Sequence, residues 1–120
     1  MQESFRQFEA GPDPFGRSWS VKFGWLQTAI SIRHADAVDV KFFLVCGDGT
    51  AEEKVISLPH VALLDLAKQS KREVTDSWCS RLAATHLVRM IETFDDMDKT
   101  LVTLSPADLE LAATKQAVTR

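Results

Sequence analysis

The chain is 120 residues long, 45% hydrophobic and 26% charged, with a net charge of -3. That length suits one domain with one core, and the composition excludes a disordered or fibrous chain. The acidic balance gives no general attraction to phosphate backbones or anionic lipid.

No apolar run reaches the length that spans a bilayer, and the first residues, MQESFRQFEAGPDPFG, lack the basic start and apolar core of a secretory signal. We therefore expect a cytoplasmic protein with no membrane partner. Residues 1–18 read as an amino-terminal arm: Phe5 and Phe8 lie at helical spacing and then meet GPDPFG, whose prolines and glycines forbid regular structure. The remainder, 19–120, reads as a single α+β domain, with no internal repeat, low-complexity tract or second linker to divide it.

From Trp19 the period is two. Val21, Phe23 and Trp25 alternate with Ser20, Lys22 and Gly24, the pattern of a strand with one buried face, and Ile30 and Ile32 continue it. Val38, Val40, Phe42, Leu44 and Cys46 mark a further strand whose other side carries Asp39, Lys41, Phe43 and Val45. CGDGT then signals a hairpin, and EKVISL forms the next strand, ending at Pro59.

The period changes to helical in PHVALLDLAKQ, where Val61, Leu64 and Ala67 or Lys68 lie on one side. After SKREVTD a longer helix runs from about Ser77 to Phe94, with Trp78, Leu82, Ala83, Leu87, Met90, Ile91 and Phe94 at spacings of three and four. KTLVTL has the β-branched content of a last strand. SPAD opens a final helix, with Ser105 as N-cap, Pro106 at the first helical position and Asp108 three residues after the cap. The expected fold is α+β and two-layered: an antiparallel meander sheet of four or five strands with helices packed on one face.

RHADAVD, residues 33–39, gathers enough polar chemistry for a metal site or an acid–base pair. A turn explains it more simply. Residues opposite each other in an antiparallel pair share a face, so Ile30 and Ile32 should oppose core residues, which leaves a three-residue loop, at His34–Asp36 or Ala35–Ala37. In the second case Arg33 stands opposite Asp39 as a cross-strand ion pair, and Asp36 suits the left-handed conformation of the loop. A cation held by His34, Asp36 and Asp39 would still have an incomplete ligand set. We expect no metal and no cofactor.

Elsewhere, Cys79 and His86 on the long helix are about 10 Å apart along its axis, too far for a Cys-His dyad. Cys46 and Cys79 read as buried thiols, and His60 as a surface residue. Glu92, Asp95 and Asp96 oppose the macrodipole at a helix end, but Leu101 stands where a calcium loop needs glycine, so they read as solvated acids at a frayed end. By parity Trp19 and Trp25 should face the helices with Trp78, which removes the stacking surface that a nucleic-acid binder needs. No nucleotide loop, zinc ligand set or nucleophile elbow occurs.

Two function classes follow. Phe43, Val45 and Val55 interrupt the polar side of the sheet, as residues of a non-catalytic binding or assembly domain that forms a homodimer through that face would. The alternative is a small hydrolase or lyase with a His/Asp site between sheet and helices, drawn from His34, Asp36, Asp39 and His86. The natural ligand is not encoded in any recognisable motif.

Overall fold

The computed structural model describes residues 7–29 and 37–118. Phe5, Ile30, Ile32, Arg33, His34 and Asp36 lie outside them. Five strands, β1 (Gln7–Ala10), β2 (Trp19–Ala29), β3 (Ala37–Cys46), β4 (Ala51–Pro59) and β5 (Leu101–Thr103), form one sheet in the order β1-β2-β3-β4-β5. The first four pair antiparallel as a meander, and β5 returns parallel to β4 after α1 (His60–Ser70) and α2 (Asp76–Thr93). A third helix, α3 (Pro106–Val118), closes the chain, and the helices pack on one face of the sheet, as the α+β reading expects. Among the described residues no helix is long and apolar enough to cross a membrane.

The covered face takes alternate residues of each strand. Val38, Val40, Phe42, Leu44 and Cys46 of β3 are all buried, as are Ile56 and Leu58 of β4, against Leu82, Leu87, Met90 and Ile91 of α2. The α2 stripe is the one its three- and four-residue spacings predict, and Thr75 caps the helix by accepting a hydrogen bond from the Trp78 N–H at 3.1 Å. Both cysteines are buried and free. Ser105 and Asp108 form the expected reciprocal cap, with distances of 3.0 and 3.1 Å. The CGDGT hairpin is also present, with Gly49 at φ 96° and Val45 paired to Ala51.

Four features depart from the sequence reading. First, Phe8, read at helical spacing, lies in the extended strand β1, opposite Val21 and edge-on to Phe42 at 6.5 Å between ring centroids. The strand meets the core through Phe8 and Ala10, an alternation too short to stand out against the Phe5–Phe8 spacing. Second, α1 turns Leu63, Leu66 and Ala67 inward and leaves Val61 and Leu64 exposed, because VALLDLA carries apolar residues on more than one side of a helix.

Third, β2 contains a bulge at Gly24: Phe23 pairs with Phe42, but Trp25 pairs with Lys41. One inserted residue exchanges the faces of everything beyond it. Gly24 is favoured there because a Cβ would stand 2.7 Å from Phe43 Cε2 and 3.1 Å from the Lys41 carbonyl oxygen. Fourth, the position opposite Asp39 belongs to Gln27, not Arg33, and Ala29 pairs with Ala37. The expected register took Ile30 and Ile32 as the pairing partners of β3, whereas LQTA supplies them with little periodic signal.

The loop from Gly11 to Ser18 is ordered around one carboxylate. Asp13 Oδ1 accepts from the Phe15 and Arg17 backbone N–H groups, both at 2.9 Å, and Oδ2 from Arg17 Nε at 3.0 Å and Trp19 Nε1 at 3.1 Å. Burial would raise the Asp13 carboxyl above its usual range, but these hydrogen bonds outweigh it and hold the group at about 2. Arg17 lies over the rings of Phe15, Trp19 and Phe94, and Phe15 meets Phe94 edge-on at 5.1 Å, so the loop is tied to the end of α2.

Candidate functional site

The face of the sheet away from the helices carries several exposed large apolar side chains. Alternation puts Asp39, Lys41, Phe43 and Val45 of β3 on it, with Glu53, Val55 and Ser57 of β4. The bulge adds Trp25, and β5 adds Leu101, which pairs with Val55. Cross-strand pairing therefore aligns Trp25, Lys41, Val55 and Leu101 in one row over β2, β3, β4 and β5. Phe43 and Val45 continue the patch along β3.

The exposures are high for such side chains: Trp25 37%, Phe43 38%, Val45 49% and Leu101 57%. Lys41 sits among them. Its Nζ lies 5.8 Å from the Trp25 ring centroid and 5.2 Å from that of Phe43, and it pairs with Glu53 at 2.8 Å. Cation–π contacts at exposed sites are worth about 0.5–1 kcal/mol each, so Lys41 orders both rings without hiding them.

The placement of Trp25 corrects the expectation that parity sends it toward the helices, because Gly24 changes the parity. Trp19 and Trp78 are buried as expected. Sequence reasoning missed Trp25 and Leu101 on this face. A glycine inside an alternating strand was the available signal for the first, and for the second no signal existed, since the partner of β5 is set by the packing of two helices.

Of the other predicted site residues only Asp39 and His86 are among the described residues, and these two do not come together. Asp39 is half-buried on the open face between Gln27 and Ser57. His86 is buried on α2, on the helical side of the sheet, beside a small cavity at the start of α3. The sheet separates the two, and His34 and Asp36 lie outside the described residues. His60 is half-buried at the start of α1. Burial lowers the His86 pKa, against an upward pull from Asp108 and Asp96, and it raises the Cys79 thiol to about 11, so that sulfur stays protonated.

The acidic turn after α2 has an anchor that the sequence did not announce. Lys54 emerges on the covered face of β4, buried, and its Nζ donates to the carbonyl oxygens of Met97 at 2.5 Å and Lys99 at 2.6 Å while pairing with Glu52 at 3.1 Å. The helix ends at Phe94 in a left-handed cap, and Met97 is buried. The turn is thus fastened to the sheet instead of fraying.

Comparison of the chain with protein-family models, with curated proteins and with solved structures finds no match. The class rests on the fold and the site: an α+β sheet domain with one covered and one open face, the open one carrying an aromatic and aliphatic row around a lysine.

Proposed function

We propose that the chain is a non-catalytic assembly domain whose open sheet face joins two copies into a homodimer. The observation that carries this reading is the row Trp25, Lys41, Val55 and Leu101, contiguous with Phe43 and Val45. Large contiguous apolar patches are rare on monomers and common where subunits meet. The charges on the face favour a second copy over a polyanion or polycation. Lys22 and Lys41 are offset by Glu9, Asp39 and Glu53, and a mixed patch of this kind can complement itself across a twofold axis. Cytoplasmic residence fits the reduced, buried thiols.

Size-exclusion chromatography with light scattering tests the reading. The wild type is expected to elute as a dimer at micromolar concentration, and Phe43→Glu, on an exposed position, as a folded monomer with an unchanged far-ultraviolet circular dichroism spectrum. A monomeric wild type, or a Phe43→Glu protein that remains dimeric, overturns it.

A further inference from the structure

A second feature lies on the helical side, far from the open face. Between the carboxyl-terminal half of α2, the turn that follows it and the start of α3 is a cavity of about 200 Å³ lined by His86, Arg89, Thr93, Asp95, Asp96 and Asp108. At roughly 30 Å³ for each water of liquid density, the space is that of a few non-hydrogen atoms.

His86 is 7% exposed and has no hydrogen-bond partner among the described residues. Leaving a buried imidazole unpartnered is costly, so a hydrogen-bonding group in the cavity would be stabilised there. Its polar surroundings are mostly acidic and mostly engaged. Asp108 caps α3 through the Ser105 N–H and stands 3.7 Å from Arg89, and Asp96 pairs with Lys99 at 3.2 Å. The Thr93 hydroxyl donates to the Arg89 carbonyl and accepts from the Asp95 N–H. The carboxylate of Asp95 has no ion-pair partner among the described residues, and Arg89 is the single cation lining the cavity.

We propose that this cavity binds a small organic cation with several N–H donors, a primary ammonium or a guanidinium, between the His86 imidazole and the carboxylates of Asp95 and Asp96. The donor spacing favours a polyatomic cation over a metal ion, because among the described residues no three His, Cys, Asp or Glu side chains gather closely enough to hold one. It disfavours an anion, because the guanidinium of Arg89 already faces Asp108. Burial pushes the His86 pKa down, which favours the neutral ring, whose unprotonated nitrogen can accept from an N–H donor.

The test is a titration of the folded protein with methylammonium and with guanidinium, followed by the His86 ring resonances in nuclear magnetic resonance spectra, with sodium acetate and sodium chloride as controls. A saturable shift of the His86 signals by one of the two cations, weakened at least tenfold in Asp95→Asn, is expected. Asp95 is exposed, so that variant should keep the fold, which its unchanged circular dichroism will verify. No saturable shift, a shift of the same size in Asp95→Asn, or a stronger response to acetate overturns the proposal.

Discussion

Phe42 and Phe43 are successive residues of β3, yet one is fully buried and the other is 38% exposed. Lys54 and Lys41 repeat the contrast in reverse: the buried ammonium has two carbonyls and a carboxylate around it, while the open one lies on two aromatic rings. Polarity alone therefore does not sort residues between the faces of this sheet. The covered face admits a charge because every donor finds an oxygen, whereas on the open face the apolar rings stay uncovered by the described residues.

The sharpest break in that comparison is a pair of alanine substitutions. Phe42→Ala removes a ring packed against Phe8 and Phe23 and should cost about 3–5 kcal/mol in denaturant unfolding. Phe43→Ala, measured in dilute protein, should cost under about 1 kcal/mol. Equal costs would mean that the open face is already part of the folded core.

A smaller effect is expected at the point where the two faces exchange residues. In Gly24→Ala the new methyl group meets the Phe43 ring at 2.7 Å and the Lys41 carbonyl oxygen at 3.1 Å. The ring can move and the backbone oxygen cannot do so cheaply, so overpacking of about 1–3 kcal/mol is predicted from urea melts. Combining Gly24→Ala with Phe43→Ala should recover part of that loss. A double mutant as unstable as the sum of its parts would show that the ring is not the obstacle.

The least disruptive change sharpens the comparison from the covered side. Asp13→Asn keeps the shape of the carboxylate that organises the first loop but removes its charge. The Asp13 carboxyl is depressed from an ordinary 3.8 to about 2, so its stabilisation is complete above the ordinary value and is lost as pH falls toward the depressed one. The difference in Tm between wild type and Asp13→Asn should therefore be greatest near neutral pH and shrink as pH falls from about 4 to about 2. Because Asp48 and Asp108 are also depressed, both proteins lose stability in acid, and the difference between them is the diagnostic. A difference independent of pH would refute the assignment to Asp13.

Much of this architecture is legible in the sequence where a local rule has one solution. Ser105, Pro106 and Asp108 mark a helix start, CGDGT marks a hairpin, and the spacing from Trp78 to Ile91 marks the buried stripe of α2. Parity along β3 likewise places Phe43 and Val45 opposite the core. What escapes is whatever depends on counting across an irregularity. Gly24 changes no composition, yet it moves Trp25 to the other face and with it half of the aromatic surface.

The same limit applies to partners distant in the chain. Asp39 reads as the neighbour of Arg33 because both are near one turn, but the ladder gives it Gln27 and Ser57. Lys54 reads as the polar residue of a strand because its oxygens come from Met97 and Lys99, more than forty positions away. The polar lining beside His86 is hidden for the same reason: Asp108 arrives from another helix, where its capping role already accounts for it.

That separation in the chain also orders events during folding. The β2-β3-β4 hairpins close over short connections, whereas the oxygens that satisfy Lys54 arrive only after both helices of the crossover have been placed. Until then the ammonium on the face that must dehydrate has only Glu52 of its own strand as a partner, and a sheet that collapsed early would bury it without the two carbonyls. Lys54 consequently couples the α2–β5 turn to the sheet: burial of its ammonium is fully compensated only when that turn is docked.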